Sequence, residues 1–504
     1  LERLEQAYSA PQVILAFQVV PGERYRLDQL KVELEDDPDG YAAPSLADLG
    51  LVTGEPARTQ VVLDAEQRLL RGAREAGFAL AALGERDAVV DHATRTMDVT
   101  LVLKPGPRAS FGQVTFTGGE GIDQAFLRGR VPMSEGERYT PAPLDKGQRN
   151  LFDTNLFSTI IVRPADKLTE DGKLDVAYEL RQRPARSIGA GVSYQTDLGV
   201  STRLFWEHRN VLGAGERFRT QADVSMSQQS LVSTLTKPDF LRPRQSLIID
   251  STLKREDVEA YKALSAGAGV AVERELTDKL TGSLGVAFRY ADIEAQQEPR
   301  ESFALLSLPG RLRWDRANDR FSPTAGGITL LTAEPFVDLL DTQRRFFKTR
   351  LTQTQYVGLT TSPQTVLALR GSLGSIFGVS RDQVPADERF YSGGGGSIRG
   401  IGFEMAGPLD DKDKPRGGRS VAEGSVELRL KLSNDLGAVL FLDGGTVFDS
   451  TLPTGGERVL FGAGPGLRYY TPIGPVRLDV GFPLNPREGV DDGFQLYISI
   501  GQAF

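Results

Sequence analysis

The chain has 504 residues and a formal net charge of -8, with two histidines and no cysteine. This length predicts two or more domains, and the mildly acidic balance supplies no basic face for binding nucleic acid. Without cysteine the chain has no disulfide, thiol nucleophile or cysteine metal site, and His92 and His208 are too few and too far apart for a histidine-based centre. We therefore expect no enzyme, no catalytic residue, no metal and no cofactor.

The chain begins with mixed strand and helix patterns that continue to about Pro184. The first elements predicted from apolar spacing are a strand over 25–34, helices over 44–52 and 58–78, and a closing strand over 96–108. Residues 12–25 resemble that closing strand, so residues 1–24 are predicted to be the remnant of an earlier copy. No basic segment followed by an apolar one stands at the start, and we expect the numbering to begin on a mature or trimmed chain.

The same order of elements then follows a second time. The predicted elements are a strand over 111–118, helices over 122–131 and 144–156, and strands over 158–164 and 173–180. The repeated α+β unit therefore has the order β-α-α-β-β. We assign one copy to residues 25–107 and the next to residues 108–184.

From residue 185 to residue 504 a period of two replaces the helical spacing. In "SVELRLKL", for example, Val426 and Leu428 alternate with Glu427 and Arg429. No apolar run approaches the roughly 18 residues that a membrane-spanning helix needs, whereas the strands of a membrane barrel are apolar only on alternate residues. At about 20 residues for each strand and its connection, the region predicts about 16 antiparallel strands, ahead of about 14 or 18. Short turns contrast with one long connection over about 378–420, as in an outer-membrane barrel.

Three motifs in the barrel region carry a family resemblance. They are "FYSGGGGSIRGIGF" at 390–403, "VLFLDGGTVF" at 439–448 and "GAGPGLRYYTPIGPVRLDVGFPL" at 462–484. Together with the preceding repeats, they resemble the superfamily of outer-membrane assembly and secretion barrels that carry polypeptide-transport-associated (POTRA) domains. The resemblance covers nearly the whole chain. One departure is Ile401, which stands where the family usually has an aromatic residue after Arg-Gly.

The resemblance implies that the long loop folds back into the barrel lumen, where an acidic residue on an inward-facing strand holds its arginine. The loop motif here comprises Gly393, Gly394, Ser397, Arg399 and Gly400. Strand alternation places Leu440 and Leu442 on the lipid side, so Asp443 is predicted to face inward. Glu427 faces inward by the same test on the preceding strand. Both carboxylates remain candidates, and either contact would be charge-assisted and directional.

The resemblance also implies a seam between the first barrel strand, about 185–194, and the last, about 494–503. The candidate seam residues are Ile188, Gly191, Ile498, Gly501 and Phe504. Glycine within a strand weakens or bends the ladder locally. A weak seam could open sideways and present edge strands to a client, while the POTRA domains bind clients or partners by strand addition.

Three branches of the superfamily compete. The central insertase has five POTRA domains and the two-partner secretion transporters have two. The translocation and assembly module branch, TamA, has three, and two complete copies plus a truncated one fit it best. That branch implies an outer-membrane barrel in a Gram-negative bacterium with periplasmic POTRA domains. It also implies a TamB-like inner-membrane-anchored partner, unfolded outer-membrane clients of the autotransporter kind, contact with the lipid bilayer, and one barrel per complex.

An alternative from a different class is a passive porin or receptor whose soluble domain is a binding module. Its constriction would need a charged lumen, which Arg429, Lys431, Arg477 and Asp479 could supply. The repeated domain and the Arg399 loop argue against this alternative.

Overall fold

The computed structural model describes residues 23–295, 298–454, 456–471 and 474–500. Almost all of the expected remnant over 1–24 lies outside the described residues. The chain divides into two compact units, one ending at Arg183 and the other running from Pro184 with 121–123 added to it. In the part of the chain that the structure describes, no helix is long and apolar enough to cross a membrane.

The first unit begins with a sheet built around its last strand. Its elements are β1 (Arg26–Leu34), α1 (Thr59–Glu75), β2 (Ala82–Leu83), β3 (Asp87–Asp91) and β4 (Thr96–Lys104). The strand β4 lies parallel to β1 and antiparallel to β2 and β3. Helix α1 buries Val62, Ala65, Leu69 and Ala73, which are three or four residues apart and so share one face. This stripe packs into the core of the sheet.

The helix predicted over 44–52 is wrong, because the chain makes a single turn there. Leu49 N–H donates to the Ser45 carbonyl over 3.1 Å, and Gly50 then adopts a φ of +78°. A glycine in the left-handed region ends a helix, and here it does so after one turn. Leu49 and Leu51 are nonetheless buried, which explains the apolar spacing that favoured a helix.

The second sheet has the predicted order of elements. They are β5 (Ser110–Thr117), α2 (Gln124–Arg130), α3 (Pro141–Phe152), β6 (Phe157–Pro164) and β7 (Lys173–Gln182). The strand β7 is central, parallel to β5 and antiparallel to β6. Helix α3 starts with Pro141, whose fixed φ suits a first helical position, and buries Leu144 and Leu151. In each of the two sheets, the last strand in chain order therefore lies parallel to the first strand.

The second unit is a closed antiparallel barrel. Its segments are β8 (Arg186–Gln195), β9 (Gly199–His208), β10 (Arg217–Val224), β11 (Gln228–Lys237), β12 (Gln245–Asp257), β13 (Tyr261–Glu275), β14 (Leu280–Ala295), β15 (Glu301–Ser307), β16 (Gly310–Asp315), β17 (Gly326–Asp338), β18 (Arg345–Thr361), β19 (Gln364–Phe377), β20 (Ser420–Lys431), β21 (Leu436–Phe448), β22 (Leu460–Tyr469), β23 (Val476–Pro483) and β24 (Gln495–Ile500). Both β15 and β16 pair with β14 and with β17, so they form one strand interrupted at Pro309, which has no N–H to donate. The barrel therefore has sixteen strands, as predicted.

Alternation along the strands separates an apolar exterior from the barrel interior. On β21, Leu440 is 62% exposed whereas Asp443 is 1% exposed. We call the end of the barrel where β8 begins the near end, and the opposite end the far end. We expected short turns at one end of the barrel and long connections at the other. The near end has the short turn at 362–363 but also the longer segment 316–325, so this difference between the two ends is only partial.

The far end of the interior holds an apolar cluster. Phe336 and Phe346 stack there with ring centroids 4.6 Å apart. The connection between β19 and β20, residues 378–419, contributes Val384, Ala386 and Phe390 to the same cluster. We call this connection the long loop. Its apolar residues plug the far end, which leaves its glycine-rich part deeper inside the barrel.

Candidate functional site

The glycine-rich part of the long loop turns sharply where it meets the barrel wall. Gly393 has a φ of +111° and Gly400 a φ of +97°, in the left-handed region that favours glycine. A Cβ at Gly400 would lie only 2.9 Å from the backbone carbon of Phe482 on β23. The motif glycines therefore permit both the turn and the close approach.

Arg399 contacts both of the carboxylates that the sequence left open. Its Nε and Nη2 donate to the two oxygens of Asp443 over 2.7 and 2.9 Å, which is a two-point contact. Its Nη1 donates to Glu427 Oε1 over 2.6 Å, and its guanidinium carbon lies 3.6 Å from the centroid of the Phe441 ring. Because Arg399 is 2% exposed, these contacts replace its water shell.

The pair belongs to a larger buried network of charges. Asp479 accepts from Arg399 over 3.4 Å and from Arg468 over 2.5 Å, and lies 3.1 Å from Arg477 Nε. Arg429 contacts Glu427 over 2.7 Å. Such a network adds little net stability, since desolvation offsets the Coulomb attraction, but removing one member costs about 3–5 kcal/mol. Its physical role is therefore to fix the position of the loop.

Glu423 on β20 is a site residue that the sequence analysis missed. Its Oε1 accepts from the hydroxyls of Ser397 over 2.6 Å and Ser392 over 2.8 Å, and its Oε2 accepts from Arg350 Nη2 over 2.6 Å. Strand alternation was the available signal, because Glu423 lies four residues before Glu427 and so faces the same side.

Two glycines in the barrel wall were also missed. A Cβ on Gly462 of β22 would overlap the carbonyl oxygen of Arg399, and one on Gly481 of β23 would lie 2.8 Å from the Arg399 carbonyl carbon. The loop backbone therefore lies directly on the wall backbone at these two positions. We call the carboxylates Glu423, Glu427, Asp443 and Asp479, together with these two glycines, the loop dock.

The barrel closes through a ladder between β24 and β8, of which the structure describes a part. Among the described residues, Tyr497 lies opposite Gln195 and Ile498 opposite Tyr194, whereas six residue pairs join β23 to β24. Of the predicted seam residues, Ile188 and Gly191 lie on β8, opposite Trp206 and Arg203 of β9. Gly501 and Phe504 lie outside the described residues. Ile498 thus faces Tyr194 across the seam, and not Gly191.

The long loop also carries a carboxyl group, that of Glu404, which is buried away from the loop dock. Glu404 adopts a φ of +64°, and its Oε2 has no hydrogen-bond partner within the described part of the chain. Burial, with Glu256 nearby, raises the pKa of Glu404 to about 8. It lines a cavity of about 430 Å3 beside Lys254 and Tyr261. Over the described ranges, no group of three or more His, Asp or Glu side chains is placed to hold a metal ion.

Comparison with known proteins gives this architecture a family. Residues 210–504 match the Omp85 superfamily domain. The chain belongs to the Omp85 superfamily. It is 24% identical to the outer membrane protein assembly factor BamA of Nitratidesulfovibrio vulgaris, covering 99% of this chain and 64% of that protein. It is 22% identical to BamA of Neisseria meningitidis, covering 78% of this chain and 56% of that one. The chain spans less than two thirds of the length of these two relatives.

Solved structures of Omp85-like proteins share the fold. BamA from Haemophilus ducreyi lacking POTRA domains 1-3 superposes with a TM-score of 0.81 at 18% identity, covering 94% of this chain and 100% of that one. CdiB from Acinetobacter baumannii superposes with a TM-score of 0.54 at 14% identity, covering 99% and 95%. The chain is thus an outer-membrane barrel preceded by POTRA-type domains, which lie in the periplasm.

Proposed function

We propose that this chain is an assembly factor that inserts or translocates other outer-membrane proteins through the seam between β24 and β8. The observation that carries the proposal is the sparse pairing in the described part of that seam, where two residue pairs join the strands. Membership of the Omp85 superfamily and similarity to BamA assembly factors support it. The proposed activity needs no catalytic residue, nucleotide or cofactor.

Sparse pairing matters because the number of backbone hydrogen bonds in a ladder grows with the number of paired residues. Within the described residues, separating β24 from β8 breaks fewer of them than separating β12 from β13, which thirteen residue pairs join. The freed strands would expose unpaired N–H and C=O groups, onto which an extended client segment can add as a new strand. Main-chain pairing ignores most side chains, so one seam would serve clients of different sequence.

The POTRA-type domains supply further edges for strand addition. The strand β3 pairs with β4 and carries exposed valines, Val89 at 55% and Val90 at 41%. An exposed strand with apolar side chains is suited to receive another strand. We propose that clients or partners meet such edges in the periplasm before they reach the seam.

A finer proposal concerns the branch of the superfamily. We propose a TamA-like role with a TamB-like inner-membrane-anchored partner, autotransporter-like clients and one barrel per complex. The loop motif and the repeat pattern support that branch.

A second candidate is a two-partner secretion transporter, which the similarity in fold to CdiB favours. Co-purification from cells distinguishes the two, since the first requires an inner-membrane-anchored partner and the second a single secreted substrate.

The passive-porin alternative fits the interior less well. The apolar cluster at the far end, which includes Phe390 of the long loop, fills the space that a steady pore needs. We expect low or irregular conductance in planar bilayers. Steady ohmic conductance would favour the porin.

Locking the seam tests the proposed function. Because the chain has no cysteine, the pair Tyr194→Cys and Ile498→Cys introduces the only thiols, at positions that face each other across the seam. Oxidation in cells is expected to stop client assembly while the barrel stays folded. The matched control is Tyr194→Cys with Val200→Cys, which joins β8 to β9. Normal assembly through a barrel shown to be locked would refute lateral opening.

A further inference from the structure

The tip of the long loop lies against both sides of the seam. Gly395 N–H donates to Gln195 Oε1 of β8 over 3.4 Å. A Cβ at Gly395 would lie 2.7 Å from Cδ1 of Tyr497 and 2.8 Å from Gln195 Oε1. Gln195 and Tyr497 are themselves opposite each other in the seam ladder. The backbone of Gly395 therefore covers this pair from inside the barrel.

A second contact joins the same tip to β24. Gly400 N–H donates to the Tyr497 hydroxyl over 3.1 Å, and Tyr497 is 1% exposed. The carbonyl of Gly395 accepts from Arg477 of β23 over 3.2 Å, next to the seam. The tip is thus bound to β8, β23 and β24 through its backbone.

We infer that residues 395–400 of the long loop act as a latch that holds β8 and β24 together from inside the barrel, with Gln195 and Tyr497 as the positioning residues. The loop dock fixes the tip through Arg399, and the tip then bridges the two seam strands. Among the described residues, two ladder pairs and the bonds between Thr196 and Leu496 cross the seam, so the two tip contacts add substantially to what holds it closed. Docking of the loop and closure of the seam are therefore coupled.

This inference concerns the barrel alone and does not depend on the proposed function. The seam can be latched whether the chain inserts clients, secretes them or forms a pore. Its test accordingly measures seam opening without any client.

Hydrogen–deuterium exchange of the full chain in lipid nanodiscs measures that opening. The amides of Thr196 and Leu496 donate across the seam over 3.1 and 2.7 Å. Amides held by such bonds exchange when the strands separate, so their rate reports the opening equilibrium. Peptides from β12 and β13, which are remote from the tip in strand order, provide the internal reference.

Neighbouring glycines in the tip provide a matched pair of variants. Gly395→Ala places a methyl group against Tyr497 and Gln195, whereas a Cβ at Gly396 meets nothing within 4 Å. We expect Gly395→Ala to accelerate exchange at the seam and Gly396→Ala to leave it unchanged. Tyr497→Phe removes one hydrogen bond, and we expect exchange about fivefold faster there. Tyr290→Phe, on the exposed exterior of β14, is its control.

The outcomes separate cleanly. Faster seam exchange in Gly395→Ala and Tyr497→Phe, with unchanged exchange in β12 and β13, supports the latch. Unchanged seam exchange in both variants overturns it, as does equal acceleration by Gly395→Ala and Gly396→Ala, because the second adds no contact. If Gly395→Ala fails to fold, seam exchange in Tyr497→Phe and Gln195→Ala decides the test: faster exchange supports the latch and unchanged exchange overturns it.

Discussion

The long loop meets the barrel interior on two sides that differ in chemistry. Toward β20–β24 it is held by directional contacts, namely the two-point bond from Arg399 to Asp443 and the glycine backbone of the wall. Toward β12–β18 it is held by apolar packing around Phe390 and by ion pairs whose cations are partly exposed, Arg289 to Asp387 and Lys348 to Glu388. Glu404 on this side leaves a carboxylate oxygen without a partner among the described residues. Fully buried directional bonds fix a position, whereas apolar packing tolerates small shifts and partly exposed ion pairs contribute less. We therefore expect the loop to be anchored on the first side and more easily displaced on the second.

The largest expected effect is on the anchored side. Arg399→Ala would leave Asp443 and Glu427 buried without their shared cation, which should lower the free energy of unfolding by about 3–5 kcal/mol. Urea unfolding, followed by the heat-modifiable mobility of the barrel, measures this. Arg300→Ala is the control, because its pair with Asp292 is largely exposed and worth about 0–1 kcal/mol. Equal losses in the two variants would show that the loop dock does not anchor the loop.

A smaller effect is expected from the glycine wall. Gly462→Ala places a methyl group where the Arg399 carbonyl lies, and overpacking of this kind costs about 1–3 kcal/mol. The displaced loop should expose the peptide bond after Arg399, so tryptic cleavage there should accelerate. Gly371→Ala is the matched control, since a Cβ at Gly371 meets nothing within 4 Å. Cleavage that stays slow in Gly462→Ala would mean that the wall can yield without moving the loop.

More of the contacts on the anchored side than on the displaceable side could be predicted from the sequence. Strand alternation places Glu427 and Asp443 inward, because a period of two needs only local sequence, and the structure puts both on Arg399. Alternation cannot tell which inward residues converge. Glu423, Gly462 and Gly481 come from different strands and are brought together only when the barrel closes.

Local pattern also failed where backbone geometry decides. The apolar spacing over 44–52 indicates a helix, but Gly50 in the left-handed region stops the turn. On the displaceable side, nothing in the sequence around Glu404 marks it as buried. Its surroundings are Glu256 and Lys254 of β12, together with tyrosines that the fold supplies.

A pH dependence is expected on the displaceable side. Burial raises the pKa of Glu404 from its ordinary value to about 8, so the docked loop keeps a proton that a released loop gives up. Docking should therefore weaken as the pH rises from about 4.5 towards 8, and should change no further above that window. Burial disfavours the charged form most, and Glu256 adds a negative charge that Lys254 offsets only in part.

Glu404→Gln keeps the size of the side chain and removes the titration. We expect its free energy of unfolding, measured with urea, to exceed that of the parent chain by a margin that grows between pH 5 and pH 8. The margin should grow by up to about 1.4 kcal/mol per pH unit. Other titrating groups cancel in this difference between variant and parent. Glu294→Gln, at an exposed position of β14, is the matched control for replacing a carboxylate by an amide. A constant margin in Glu404→Gln would mean that water reaches the carboxyl group in the docked loop, so that its burial gives the loop no pH dependence.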